Sequence, residues 1–385
     1  MRLGSEVLIA SNRLGGLRIG VVANPASLDG AFRHIVERLG DTEGVTLGAI
    51  FGPQHGFHSD LQDNMVETPH AADSRREVPI YSLYSETREP TGEMLAGLDA
   101  LVIDLQDIGA RIYTFVYTMA NCLRAAARHG VPVIVCDRPN PIGGVDVEGP
   151  MLEPGFESFV GQFAIPMRHG MTIGELARLF NEHFGLGATL EVVEMEDWQR
   201  GQYWDDTHLP WVMPSPNIPT LDTAVVYPGT VLFEGTMLSE GRGTTRPFEL
   251  VGAPWVEPER FATRMNRLGL EGVRFRPATF EPTFQKHAKT PCGGCQIHVT
   301  DRRRFRPVAV GAALLSAFHE TSPDRFQWRQ PPYEYEHDKV PIDILAGSPQ
   351  LREQIEAGTP VAEIVASWQA GEEAFRGVRQ PFLLY

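Results

Sequence analysis

The sequence predicts an α/β protein, a doubly wound parallel sheet followed by a smaller α+β domain. Three observations carry that reading. Short apolar runs at residues 17–23, 45–51, 100–105 and 131–136 have the length and β-branched content of buried parallel strands. Amphipathic segments at residues 30–39, 91–98, 114–129 and 172–183 follow those runs with helical spacing. Strand–helix alternation of this kind builds a parallel sheet covered on both faces.

Each element has a local reason. Thr172 followed by Glu175 has the spacing of a capping box and starts the last of those helices. A further strand is expected at residues 190–194. Five prolines between positions 210 and 228 mark the passage out of the sheet, so the expected division is residues 1–210 and 211–385. The second part reads as a helix at 258–268, strands at 273–280 and 294–300, and helices at 307–320, 350–357 and 360–375.

Composition narrows the function. At 385 residues the chain exceeds one ordinary domain, and 42% hydrophobic against 22% charged residues is globular composition. The net charge of −15 excludes a nucleic-acid partner and an anionic membrane, since no basic surplus remains to neutralise phosphate. No apolar run is long enough for a membrane span, and Glu6, Asn12 and Arg13 interrupt the segment where a secretory signal needs an apolar core. Four cysteines are too few for a disulfide scaffold, so a reducing, cytoplasmic setting is expected. Cys292 and Cys295 have CxxC spacing but lead into a strand pattern with no second ligand pair, which favours a structural role.

Ligands of open α/β sheets bind outside the carboxyl ends of the strands. The first strand ends at Asn24-Pro25, with no GxGxxG or P-loop, which argues against a dinucleotide. The second ends in Gln54, His55, His58, Asp60 and Asp63. The third ends in Asp104, Gln106, Asp107, Arg111 and Tyr113. The fourth ends in Asp137, Arg138, Asn140 and Glu148. Turns favour Asp and Asn, but that explains His55, Arg111, Tyr113 and Arg138 poorly. A second wall is expected from Asn217, Glu234 and the glycine-punctuated run holding Glu240, Arg242 and Arg246; its bland alternative is a flexible surface loop. His55, His58 and Asp60 are metal-ligand types without diagnostic spacing. No metal and no cofactor are expected.

The segments YSLYSETREPT, DLQDIGARIYTF, DRPNPIGG, VEGPML, SFVGQFAIPMRHGMTIGELARLFN, DDTHLPWVMPSPNIPTLDTAVVYPGT, EGTMLSEGRGTTRPFELVGAPW and QIHVTDRRRFRPV resemble the exo-β-N-acetylmuramidases, glycoside hydrolase family 171. The similarity runs from about residue 17 to the carboxyl terminus. It implies a Rossmann-like first domain, a smaller second domain and a cleft that releases non-reducing terminal N-acetylmuramic acid from a muropeptide sugar chain. The lactyl carboxylate of that sugar makes Arg111, Arg138, Arg242 and Arg246 candidate ligands. The family reads Pro-Glu-His-Gly where this chain has Pro53-Gln54-His55-Gly56, and a glutamine cannot exchange a proton as a carboxyl does. Glycosidases use two carboxyl groups, or one with a substrate acetamido group. Glu148 and Glu240 are the first choices for those roles, followed by Asp104, Asp107 and Asp60. Gln54, His55, Tyr113, Asn140, Asn217 and Glu234 are expected to position substrate. Because of Gln54, two alternatives stand beside this reading: a glycosidase for another N-acetylhexosaminide, and a sugar-binding homologue without catalysis.

Overall fold

Apolar residues of period two, not chain order, decide how the sheet is covered. The structure is a computed structural model that describes residues 1–63 and 66–385. Its strands are β1 (Arg18–Ala23), β2 (Thr46–Gly52), β3 (Ala71–Asp73), β4 (Val78–Ser82), β5 (Ala100–Asp104), β6 (Val133–Cys136), β7 (Glu148–Met151), β8 (Pro166–Arg168), β9 (Leu190–Val193), β10 (Leu250–Ala253), β11 (Val273–Phe280) and β12 (Cys292–Val299). Seven of them form one sheet in the order β3-β4-β2-β1-β5-β6-β9. Only β3 runs antiparallel, as a short edge against β4. Counting the parallel strands alone, the order is third, second, first, fourth, fifth, sixth, which is the Rossmann order.

Successive side chains on a strand point to opposite faces. Ile19, Val21 and Ala23 of β1 face one side with Ile35, Val36 and Leu8, under the helices Gly4–Ala10 and Ile35–Gly40. Val22 faces the other side with Phe51, Ile103, Val133 and Val135, under the helix Phe115–His129. That second core continues without a break into Val225, Leu232, Phe248 and Phe275 of the other half. The second half holds a three-stranded antiparallel sheet, β10-β12-β11. Its helix Pro307–Thr321 crosses Leu221–Thr230 where glycines meet. A Cβ on Gly229 would lie 1.9 Å from the Pro307 carbonyl oxygen, and one on Gly311 2.4 Å from that of Gly229.

Several expected elements differ in extent. The helix foreseen at 30–39 begins only at Ile35, because the Asp29 carboxylate accepts from the amides of Ala31 and Arg33 and holds that stretch as a turn. The one foreseen at 91–98 is a single turn, Gly92–Leu95, ended by extended Ala96 and left-handed Gly97. The Thr172–Glu175 capping box is present, but the helix Ile173–Arg178 widens into a π turn over Leu179–His183. The helix Gly4–Ala10, strands β3 and β4, the β7–β8 ribbon, β10 and the helices Leu221–Thr230 and Pro341–Ala346 were not foreseen.

The crevice where a Rossmann sheet changes direction, between β1 and β5, is filled by the protein itself. Arg138 Nη1 donates to both Asp104 oxygens at 2.9 and 3.1 Å, and Nη2 donates to the carbonyls of Ala26 and Leu28. Arg138 Nε donates to Gln106, and Ser27 Oγ donates to the Asp104 carbonyl. All of these side chains are buried. Removing one partner of such a pair strands a buried charge. Arg138→Ala is therefore expected to lower unfolding free energy by about 3–5 kcal/mol in denaturant titrations.

Candidate active site

Beyond the ends of β2 and β5 the sheet faces the second half across a cavity of about 480 Å³, mouth included. The loop after β2 brings Gln54 and His55, the loop after β5 brings Tyr113 and Thr114, and the proline-rich passage brings Ser215 and Asn217. The second half contributes Glu234, Arg242, Tyr333 and Glu334.

The β2 loop turns sharply because His55 and Gly56 both have positive φ, 70° and 80°. Thr68 and Phe57 pack beneath that turn. His55 donates from Nδ1 to the Leu61 carbonyl at 2.8 Å, which fixes the ring. Burial pushes its pKa down to about 4, against the small upward pull of that carbonyl. Asn217 clamps the same loop from the other half: its Nδ2 donates to the Gln62 carbonyl at 2.7 Å and its Oδ1 accepts from Gln62 Nε2 at 3.2 Å.

The second wall is a chain of buried charges. Arg242 Nη2 donates to Glu234 at 2.6 Å, and its Nε lies 3.4 Å from Glu240. Lys286 Nζ reaches Glu240 at 2.5 Å and also donates to the carbonyls of Phe233 and Thr236. Burial alone would raise the Glu234 pKa, but Arg242 and the Tyr333 hydroxyl, 2.7 Å away, hold it below the usual range. Glu234 is thereby kept ionised. Arg242 Nη1 is buried and, among the described residues, has no acceptor, and Nε makes no hydrogen bond either, so this guanidinium on the cavity wall keeps N–H groups unused.

Glu334 contrasts with Glu234 on the same cavity. Burial, then the negative charge of Glu234, push its pKa up to about 7. Tyr84 donates its hydroxyl to Glu334 at 3.1 Å. Gln54 hydrogen-bonds Glu334 as well, while its own Oε1 accepts from Thr114 Oγ1 at 2.8 Å. The backbone holds Glu334 at a cost. Tyr333 and Glu336 exchange two backbone bonds of 2.9 Å around Glu334 and Tyr335, whose φ angles are +45° and +68°. Two positive angles are the pattern of a type I′ turn, which prefers Asn-Gly. Strain at non-glycine residues collects where function over-determines the backbone. Arg88 stacks between the rings of Tyr84 and Tyr335, 4.5 and 4.4 Å from their centroids, and braces the turn.

The structure sorts the expected site residues. Gln54, His55, Tyr113, Asn217, Glu234 and Arg242 line the cavity, and Glu240 lines the hollow just outside it. The others lie elsewhere, which corrects the expected grouping. Glu148 is fully buried on β7, bonded to the Ala309 amide at 2.9 Å and 3.6 Å from Arg306, with burial raising its pKa. Asp104 and Arg138 form the plug described above. Asp107 accepts from the Gly109 amide and lies 3.4 Å from His169, shaping the β5 loop. Arg111 spends its guanidinium on the carbonyls of Pro150, Ile165 and Leu345. Asn140 is bonded to the Met171 carbonyl and the Ile142 amide. Arg246 pairs with Glu249 away from the cavity, and Asp60 is exposed. The strand-end rule failed for these because such loops also carry the ties that fix one strand to the next. Glu334 and Lys286 went unnoticed because neither follows a strand of the main sheet; the only local sign of Glu334 is the aromatic-acidic run Tyr333-Glu334-Tyr335-Glu336. Among the described residues no group of three or more His, Cys, Asp or Glu side chains forms a metal-binding cluster. All four cysteines are buried thiols, and burial pushes Cys292 up to about 11.

A doubly wound sheet facing a second lobe across a cavity lined by two carboxyl groups, one held below its usual range and one raised to about 7, suits the two-carboxyl chemistry of a glycoside hydrolase. The comparisons carry this further. Residues 19–222 match the amino-terminal part of the exo-β-N-acetylmuramidase NamZ family and residues 225–385 its carboxyl-terminal part. The chain belongs to that family. It is 45% identical over 373 residues to the peptidoglycan β-N-acetylmuramidase NamZ of Bacillus subtilis strain 168, covering 97% of this chain and 88% of that protein. Crystal structures of two DUF1343 family proteins from Bacteroides fragilis share the fold, with TM-scores of 0.90 and 0.76 at 35% and 28% identity; each comparison covers 100% of this chain and 98% of the other.

The buried, carbonyl-bound ring of His55 makes one direct prediction. Its nitrogens, followed by ring ¹⁵N NMR, are expected to titrate with a midpoint of about 4 and to stay neutral throughout the range where an ordinary histidine charges. A midpoint near the ordinary 6.5 shows that the ring is not enclosed as described.

Proposed function

We propose that this chain is an exo-acting β-N-acetylmuramidase, hydrolysing the glycosidic bond of a terminal N-acetylmuramic acid residue at the non-reducing end of peptidoglycan fragments. One observation carries the mechanism: Glu234 and Glu334 share a cavity, yet the first is held below the usual carboxylate range and the second is raised to about 7. A glycosidase needs one carboxyl that gives its proton to the leaving oxygen and one charged group that supports the developing oxocarbenium ion. Glu334 fits the first role, since burial keeps its proton near neutral pH. Glu234, ionised beside Arg242, fits the second, or orients the substrate's own 2-acetamido group as nucleophile. Gln54 stands where the family carries a glutamate, and Glu334 beside it, its proton held by burial and by the charge of Glu234, supplies the proton that Gln54 cannot. Tyr113 and the unused N–H groups of Arg242 position the sugar, and Asn217 holds the loop that carries Gln54 and His55. No helix among the described residues is long and apolar enough to cross a membrane. The four thiols fit a reducing compartment, so the reading places the reaction in the cytoplasm, on fragments of recycled wall.

Gln54 also favours a second reading, a sugar-binding homologue that keeps the cavity without turnover. N-acetylmuramic acid would then raise the melting temperature while no aryl muraminide is cleaved.

Loss of a general acid costs about 10²- to 10⁴-fold in rate. Glu334→Gln is expected to lower kcat on an aryl N-acetyl-β-muraminide by that factor, with KM little changed. Because the Glu334 pKa is raised to about 7, the active protonated form prevails below that pH, so wild-type kcat is expected to fall as pH rises through it. Near-wild-type turnover by Glu334→Gln, with the alkaline fall intact, removes Glu334 from the chemistry. Glu148→Ala, removing a carboxyl remote from the cavity, is expected to keep turnover within about threefold while unfolding at lower temperature, as the Ala309 amide left buried without its acceptor costs about 1–3 kcal/mol.

A further inference from the structure

The four arginines that the sequence offered for a substrate carboxylate are all engaged by the protein. Arg111 and Arg138 are consumed by carbonyls and by Asp104, Arg246 by Glu249, and Arg242 by two glutamates. A different cation, Arg329, lies beside the cavity. Just outside the cavity lies an open hollow of about 840 Å³, mouth included, that shares Glu234 with it and is lined further by Asp63, Glu240, Gln285, Lys286 and Arg329.

Within that hollow the buried charges nearly balance. Glu234 and Glu240 answer Arg242 and Lys286 through contacts of 2.5–3.4 Å. Asp63, at the rim, is engaged by the Gln285 amide. Arg329 forms no ion pair and its guanidinium no hydrogen bond among the described residues. It is half-buried and held in place nonetheless. Its backbone amide donates to the Gly235 carbonyl at 2.9 Å, and its guanidinium lies 5.4 Å from the centroid of the Tyr333 ring, the same tyrosine that bonds Glu234. Arg329 and Lys286 are also close enough for the arginine's charge to oppose protonation of the lysine, after burial as the larger cause. Arg329 thus brings to the hollow a guanidinium whose N–H groups make no hydrogen bond among the described residues, and a guanidinium binds a carboxylate in bidentate fashion.

We propose that Arg329 receives the lactyl carboxylate of N-acetylmuramic acid and so sets the specificity of the site for this sugar over N-acetylglucosamine, which lacks that group. This rests on the muramidase reading but is tested apart from it, by binding. The two cations share the wall with Glu234, so a sugar whose lactyl group lies in the hollow has its ring directed to the adjoining cavity. Arg329 is a specificity residue, not a catalytic one.

The test measures binding of N-acetylmuramic acid, its lactyl amide and N-acetylglucosamine by calorimetry to wild type, Arg329→Ala and Arg329→Lys. A charge-assisted hydrogen bond corresponds to about 10- to 100-fold in Kd. Wild type is expected to prefer the acid to both neutral sugars by that factor. Arg329→Ala is expected to abolish the preference while binding the neutral sugars as wild type does, and Arg329→Lys to keep part of it. Equal affinity of wild type for the acid and its amide, or an undiminished preference in Arg329→Ala, overturns the proposal. Absence of turnover by wild type on aryl muraminides, with the Arg329-dependent preference intact, sinks the hydrolase reading alone.

Discussion

The buried guanidinium of Arg242 is the interaction on which the candidate site depends. Two glutamates lie within reach of it, and a carboxylate out of water is tolerable only beside a cation with hydrogen bonds to match. That requirement shapes the surrounding backbone. Gly241 and Gly243 both take φ of +79°, and a Cβ on Gly241 would lie 2.7 Å from the Leu250 carbonyl oxygen. The glycine-punctuated run is therefore a packed wall and not a flexible surface loop. Gly243 accepts from the amide and hydroxyl of Thr283, which fastens the following segment and brings Lys286 onto Glu240. A single ion cluster thus sets the charge state of Glu234 and leaves N–H groups of Arg242 for a ligand.

The same principle acts with the opposite result at the sheet. A Rossmann crevice is ordinarily open to a ligand, yet here Arg138 fills it and satisfies Asp104, Gln106 and two carbonyls at once. Closing that crevice leaves the loops of β2 and β5 as the rim that meets the other half. The cavity consequently lies off the switch point, between Gln54, Tyr113 and the second lobe. The carboxyl-terminal helix Val361–Arg379 secures the arrangement: Glu372 accepts from the Gly149 amide, and Arg379 donates to the carbonyls of Gly144, Val145, His169 and Gly170. The lobes share one continuous core, so the cavity walls are held by packing on both sides.

Gln54 gains its meaning from Glu334. A glutamine offers both an acceptor, used by Thr114, and donors, one of which meets the Glu334 carboxyl. A carboxylate at position 54 would place a like charge against Glu334 and raise its pKa further; the amide softens that repulsion and leaves one titrating group where two would be coupled. The strained Glu334-Tyr335 turn and its Arg88 brace show that the fold sustains an unfavourable backbone to keep this carboxyl on the cavity.

The amino-acid sequence by itself determined five of the seven strands of the main sheet, because buried parallel strands are continuous β-branched runs that read without reference to anything distant; β3 and β4, short and half-exposed, went unread. It also determined the family, through long shared segments, and half of the cavity, through the loops after β2 and β5 and the glycine-rich run. Tertiary structure alone decided which polar strand-end residues face a ligand and which tie strands together. Asp104, Arg111, Arg138 and Asn140 look the same in sequence as Gln54 and His55, and differ only in what lies opposite them. Glu334, Lys286 and Arg329 join the site from far along the chain, on turns with no period to betray them. Carboxyl groups acquire their protonation states from neighbours and burial, and neither is written in local order.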